Sequence, residues 1–170
     1  YRYKEMLGCI WRERAESVVK DDEEVMSLSC LMQEDAAGGS CIDALISLSG
    51  VGAEHWLRCL FKHSVIPLYH LICRYGVSVV AHGQNVTLIL KNHVPVGCTI
   101  KDFHGDLRIY EHTFPENKSL PLSIREQLTQ LPARYLLHDL LTGSVTITLI
   151  VPFPPLPTLH LTELSDIHSL

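Results

Sequence analysis

The chain has 170 residues, with 14 Lys+Arg against 19 Asp+Glu, giving a formal net charge of −5 with histidines neutral. Hydrophobic residues make up 46% and charged residues 19%, enough apolar surface to offset the conformational entropy of folding and so to exclude a disordered chain. The acidic balance also disfavours a general nucleic-acid binder, because net negative charge does not attract a phosphate backbone.

The length suits one domain, and the opening on Tyr1 rather than Met leads us to expect a piece of a larger one. No apolar run reaches the roughly 18 to 20 residues needed to cross a bilayer; the longest, around 144–156, is broken by Pro152, Pro154 and Pro155. The six cysteines form no C-x-x-C pair, so they are read as buried thiols of a reducing cytoplasm rather than as zinc or redox ligands.

In chain order, Tyr1 to Val19 mixes aromatic and apolar residues with Arg2, Arg12, Glu13 and Arg14, and the acidic run Asp21-Asp22-Glu23-Glu24 reads as a solvated loop or helix start. Val25 to Met32 is short and apolar, as a strand would be, and Gly38-Gly39 marks a turn. Ala53 to Tyr75 repeats apolar residues every three or four positions (Leu57, Phe61, Val65, Leu68, Ile72, Tyr75) and predicts a helix kinked at Pro67 and ended by Gly76. Val77 to Ala81, Val86 to Leu90, Val96 to Lys101 and Leu107 to Tyr110 are rich in β-branched residues and predict strands. Pro121 to Leu141 returns to helical spacing, with Ser123 and Glu126 spaced as a capping box. The expected fold class is α+β, helices packed around a small antiparallel sheet with a central hairpin. Residues 1–143 make one unit, and 144–170 an atypical proline-rich tail, expected to be altered or disordered.

Polar side chains concentrate at one end of that hairpin. If Val86 to Leu90 pairs with Val96 to Ile100 across a five-residue loop, Asn85 faces Lys101 and Gln84 faces Asp102. His82, Gln84, Asn85, Lys101 and Asp102 then gather in one place. Such a cluster suits a magnesium nucleotide: a carboxylate and an amide oxygen are hard ligands for Mg2+, and His82 and Lys101 can meet phosphate oxygens. The structural alternative stands beside it, since Asp and Asn at turns often serve only the backbone. There is no Gly-rich phosphate loop, His-Arg-Asp loop or Walker sequence, so neither a kinase nor a P-loop enzyme is indicated.

Val79 to Thr87 (Val-Val-Ala-His-Gly-Gln-Asn-Val-Thr) and Lys101 to Arg108 (Lys-Asp-Phe-His-Gly-Asp-Leu-Arg) resemble the paired motifs of the aerobactin synthetase (IucA/IucC) family, siderophore synthetases independent of nonribosomal peptide synthetases. Arg12-Glu13 resembles an Arg-Glu motif upstream, and Tyr135 to Leu140 a segment further on. The resemblance runs from about Leu7 to about Gly143 and corresponds to a C-terminal portion of a larger synthetase fold. It implies an ATP-dependent carboxylate–amine ligase. A carboxylate of citrate or a related acid attacks ATP to give an acyl adenylate and pyrophosphate, and an amine or hydroxamate-bearing amine then displaces AMP. Carried onto this chain, it implies that His82, Gln84, Asn85 and Asp102 bind nucleotide, that Asn85 and Asp102 hold Mg2+, and that His82, Lys101 and Arg12 serve catalysis, with Glu13 orienting Arg12. It also implies a cytoplasmic enzyme with no nucleic-acid or membrane partner, for which a homodimer is one assembly open. Two departures stand out: Val80 where many relatives carry Glu, and Lys101 where many carry Arg, which keeps the charge but not the planar fork. The alternative is a truncated, noncatalytic fragment that retains at most nucleotide or partner binding.

Overall fold

The computed structural model describes residues 11, 13–101, 103, 106–112 and 114–142. The proline-rich tail expected over 144–170 therefore lies outside the described residues, as does the first motif residue Arg12.

The expected strand Val25 to Met32 is a strand only in its first half, β1 (Glu24–Ser27). Leu28 to Met32 winds instead into a 3₁₀ helix. Leu28 and Leu31 explain the change: three residues apart, they eclipse on a three-residue turn, and both are buried. The glycine turn follows as expected, with the Asp35 carboxylate accepting from the backbone N–H of Ala37 and Gly39 at 2.8 and 2.7 Å. It leads into a helix that apolar periodicity does not announce, α1 (Cys41–Ser49), whose first turn is closed by Ser40 and Asp43. The Asp43 N–H donates to Ser40 Oγ, and that hydroxyl donates back to the Asp43 carboxylate.

The long predicted helix forms over its whole expected length, as α2 (Ala53–Leu60), one π-helical turn (Phe61–Val65) and α3 (Ile66–Tyr75). Its buried face is Trp56, Leu60, Ser64, Leu68 and Ile72; of the expected stripe Leu68 and Ile72 belong to that face, Leu57 and Val65 are half-buried against the core, and Tyr75 is exposed. Steps of four overshoot a 3.6-residue turn by about 40° each, so an unbroken α-helix would rotate this face away within a few turns. The wider π turn absorbs the drift, and it sits directly before Pro67, whose ring disfavours the regular hydrogen bond one turn back. Ser64, the polar member of the face, donates to the Leu60 carbonyl at 2.6 Å and so carries no unsatisfied hydroxyl. Gly76 ends the helix at φ 63°.

Among the described residues, two three-stranded sheets replace the one expected. The first is antiparallel with β3 (Val86–Lys91) between β1 and β4 (Val94–Ile100). The second joins β2 (Val77–Val79) antiparallel to β5 (Leu107–Tyr110), and β5 in turn parallel to β6 (Thr129–Leu131). Strand β6 was expected to be helix. Pro132 forces its predecessor toward extended backbone and removes an N–H, so Pro121 to Leu141 divides into α4 (Leu122–Arg125), β6 and α5 (Ala133–Leu140). The Ser123–Glu126 capping box is not made, because Pro121 takes the cap position and Ser123 lies inside the turn.

The hairpin turn is tighter than the expected five residues. Asn92 and His93 form it with φ of 49° and 65°, the left-handed pair that suits strand twist. Val96 is then an extra residue between Pro95, opposite Leu90, and Gly97, opposite Ile89. Pro95, which has no N–H to give, is tolerated because β4 is an edge strand. Indole Nε1 of the fully buried Trp56 donates to the His93 carbonyl at 2.8 Å and fixes the turn against α2. Val86, Leu88 and Leu90 point from β3 into the same core as Leu28, Ile42, Trp56, Leu60, Leu136 and Leu140. Each such side chain contributes about 1.5–3 kcal/mol when fully buried. Among the described residues no helix is long and apolar enough to cross a membrane.

Candidate functional site

The sheet arrangement brings three short stretches together: the loop from Val80 to Asn85, the end of β4 at Ile100 and Lys101, and Asp106 before β5. Past the bulge the hairpin register is the expected one, with Val86 opposite Ile100, Thr87 opposite Thr99 and Leu88 opposite Cys98. It continues one step further, since the Lys101 N–H donates to the Asn85 carbonyl at 3.0 Å. Asn85 does face Lys101. Asp102, expected opposite Gln84, lies outside the described residues.

The loop itself is held by its backbone. The His82 carbonyl accepts from the N–H of Asn85 and Val86 at 2.7 and 3.2 Å, closing a turn. The Gly83 carbonyl accepts from the Ser29 N–H and the Ser27 hydroxyl, both at 3.0 Å, and the two serine hydroxyls are 2.8 Å apart. The 3₁₀ turn after β1 thus clamps the loop from below. As a result burial alternates: Gly83 and Asn85 are buried, whereas His82 and Gln84 are exposed and Lys101 is half-buried. Among the described residues, His82, Gln84 and Lys101 are thus the expected site residues with solvent-facing surface, and Phe103 is exposed as well.

Asn85 is only 3% exposed, and its Nδ2 donates to Asp106 Oδ2 at 3.1 Å. Asp106 is also tied by its own backbone, its carbonyl accepting from the Val80 N–H at 3.0 Å. The turn role weighed for Asn85 is real, and its side chain additionally bridges the two sheets. Asp106 was not singled out in the sequence, although it falls within the second motif; only the meeting of the sheets reveals its partner.

A hard cation can be tested against this donor set. A carboxylate only accepts, so the Asn85 amide must turn its NH2 to Asp106, and its oxygen is left as the atom suited to Mg2+. That oxygen is a hard donor of the kind Mg2+ takes. Among the described residues no three His, Cys, Asp or Glu side chains cluster as a metal site.

The other motif residues lie apart from this loop in role. Leu136 and Leu140 of the Tyr135 to Leu140 segment are core residues, and the Leu136 carbonyl accepts from Ser78 Oγ on β2 at 3.2 Å. Half-buried Asp139 keeps one carboxylate oxygen, Oδ2, buried without a hydrogen-bond partner. A cleft of about 500 Å³ lies beside α1, lined by Gln33, Asp35, Ser40, Cys41 and Asp43 among others, and includes none of the expected site residues. The five described cysteines are free thiols; four are half-buried and Cys73 is exposed, so the expectation of buried thiols holds only in part. Burial pushes the thiols of Cys98 and Cys41 up, with Cys30 adding to the effect on Cys41, which leaves both poor nucleophiles.

Residues 54–149 match the family model described as "Ferric iron reductase FhuF-like transporter". The aerobactin synthase of Escherichia coli is 49% identical over 143 residues, covering 84% of this chain and 25% of that protein. The solved aerobactin synthetase IucC from a hypervirulent Klebsiella pneumoniae superposes with a TM-score of 0.81 at 48% identity, covering 87% of this chain and 27% of that one. This chain belongs to the aerobactin synthetase (IucA/IucC) family, as its C-terminal, FhuF-like portion. It spans about a quarter of the length of the curated aerobactin synthase it matches. A more distant relative, 35% identical over 115 residues, covering 68% of this chain and 18% of that protein, is the citryl-spermidine/3,4-dihydroxybenzoyl-citryl-spermidine:spermidine ligase of Bacillus anthracis. These relatives bear the names of synthases and ligases, the reaction class that the two motifs implied.

Proposed function

We propose that this chain supplies the nucleotide-binding part of an ATP-dependent ligase that activates a carboxylate of citrate or a related acid and joins it to an amine as an amide. The observation that carries the proposal is the meeting of the two motifs, with Asn85 paired to Lys101 across the hairpin and to Asp106 across the sheets. The names of the relatives support the reaction class: one is an aerobactin synthase, and another is a ligase whose name gives citryl-spermidine and spermidine.

Carboxylate is a poor acyl donor until one of its oxygens becomes a good leaving group, and ATP is the reactant that supplies one. In our reading His82 and Gln84, the exposed members of the loop, contact the nucleotide. Lys101 places a positive charge where negative charge grows on the phosphates. Asn85 and Asp102 would hold Mg2+, which when bound neutralises phosphate charge. Arg12 meets phosphate or the acid substrate. Glu13, exposed in the described structure, orients it. The amine partner is a simple or hydroxamate-bearing amine, the reaction is cytoplasmic, and a homodimer is the assembly we would look for.

Calorimetric titration of Mg-ATP into the 170-residue chain tests the reading. Magnesium-dependent binding that is lost in Asp102→Ala is expected. Absence of binding, or binding indifferent to Asp102→Ala, would instead mark a noncatalytic fragment. Pyrophosphate release with citrate is the further criterion for catalysis, and we expect it to be weak without the rest of the synthetase.

A further inference from the structure

The geometry points to Asp106 as a positioning residue: its carboxylate sets the orientation of the Asn85 amide, and so decides which Asn85 atom a nucleotide-bound magnesium ion meets. The inference rests on the magnesium-nucleotide reading above and gives a role in ion binding to a residue that reading uses only as a contact between the two motifs.

Asn85 has little freedom except at its amide. Its N–H donates to the His82 carbonyl at 2.7 Å and its carbonyl accepts from Lys101 at 3.0 Å, so the backbone is fixed from both sides. The residue is only 3% exposed. What remains is rotation about the last side-chain bond, which exchanges the oxygen and nitrogen of an otherwise symmetric group. Asp106 removes that ambiguity. At 3.1 Å its Oδ2 can accept from an NH2, whereas a flipped amide would set two acceptors against each other.

Asp106 is itself immobile enough to impose the choice. Its carbonyl accepts from Val80 N–H at 3.0 Å, and its N–H donates to the Phe103 carbonyl at 3.3 Å. It stands immediately before β5, as Asn85 stands immediately before β3, so the pair links the starts of strands in two different sheets. A partner that orients a ligand in this way typically changes metal affinity by about 10–100-fold when removed.

The test is titration of ATP into the 170-residue chain with and without Mg2+, for the wild type, Asp106→Ala, Asp106→Asn, Asn85→Asp and the exchanged pair Asn85→Asp/Asp106→Asn, with thermal melting as the check on folding. Asp106→Ala is expected to weaken magnesium-dependent ATP binding about 10–100-fold and to leave magnesium-independent binding unchanged. Asp106→Asn can still offer an oxygen to the Asn85 NH2 and should lose less. In the exchanged pair the amide of residue 106 donates to a carboxylate at residue 85, which restores the hydrogen bond and leaves the second carboxylate oxygen for the ion. It is expected to bind about 10-fold more tightly than Asn85→Asp, where two carboxylates oppose each other. Wild-type affinity in Asp106→Ala, equal losses with and without Mg2+, or no recovery in the exchanged pair would each overturn the role of Asp106 while leaving the nucleotide site standing. Absence of magnesium-dependent binding in the wild type would overturn the nucleotide reading, and this inference with it.

Discussion

Replacing Gly76 by Ala tests how the long helix hands over to the sheet that carries Asp106. Gly76 sits at φ 63°, a left-handed conformation that costs an L-residue about 1–2 kcal/mol. A Cβ built there would also lie 2.6 Å from Phe114 Cδ2 and 2.8 Å from Cε2. The ring is not free to step aside without loss, since it packs edge-on against Tyr110 with centroids 5.8 Å apart. Overpacking of this kind costs about 1–3 kcal/mol. The two effects together predict a destabilisation of about 2–5 kcal/mol in urea unfolding followed by circular dichroism. They separate in a cycle: in a Phe114→Ala background the same substitution should cost only its backbone part, about 1–2 kcal/mol. The Gly76 carbonyl accepts from the Tyr110 N–H at 2.7 Å, so strain here also loads the β2–β5 pairing that precedes the site loop. A cost within about 0.5 kcal/mol of zero, or an equal cost in both backgrounds, would refute the reasoning.

Two further outcomes follow from the same structure. Trp56→Phe keeps most of the buried ring but removes the 2.8 Å bond to the His93 carbonyl, and should destabilise by about 1–3 kcal/mol in the same assay; an unchanged midpoint would mean that the hairpin turn does not need this clamp. Burial, and secondarily the charge of Lys62, lowers the pKa of His63, so on acidification the unfolded chain takes up the proton before the folded one. Stability contributed this way is present above about pH 6.5 and falls as pH drops toward the lowered folded value; melting temperatures followed from pH 8 to pH 5 should show a smaller decline in His63→Gln, and parallel curves would sink the assignment.

The hairpin shows why a correct register can be read through an incorrect loop. The expected five-residue loop is in fact the two-residue turn Asn92–His93 plus one extra residue, Val96. An odd residue in a hairpin can be housed in the loop or in a bulge, and beyond the bulge both solutions give one register. The polar end at Asn85 and Lys101 was therefore legible from alternation alone, while the turn was not. The helix 53–75 shows the converse. Its existence and its glycine stop follow from periodicity, but the buried face at four-residue spacing is hidden by polar Ser64, because a 3.6-residue template cannot accommodate a π turn. Sheet two was the least legible part, since the parallel strand Thr129–Leu131 depends on its pairing with β5 rather than on local preference.

Asp106 lies at the limit of such reading. Alternation assigns residues to faces within one sheet, and the capping rules act within a few positions along the chain. The Asn85–Asp106 contact spans 21 residues and two sheets, so neither rule reaches it. Its position follows from Val80, whose N–H meets the Asp106 carbonyl just after β2 leaves its pairing with β5. The same chain that ends in the His82 to Asn85 loop thus first fixes Asp106, and then returns at Asn85 to meet its side chain. A motif pair recognised only as two strings is, in three dimensions, one closed circuit of backbone and amide contacts. That is why a substitution at Asp106 should be felt at Asn85 before it is felt in the fold.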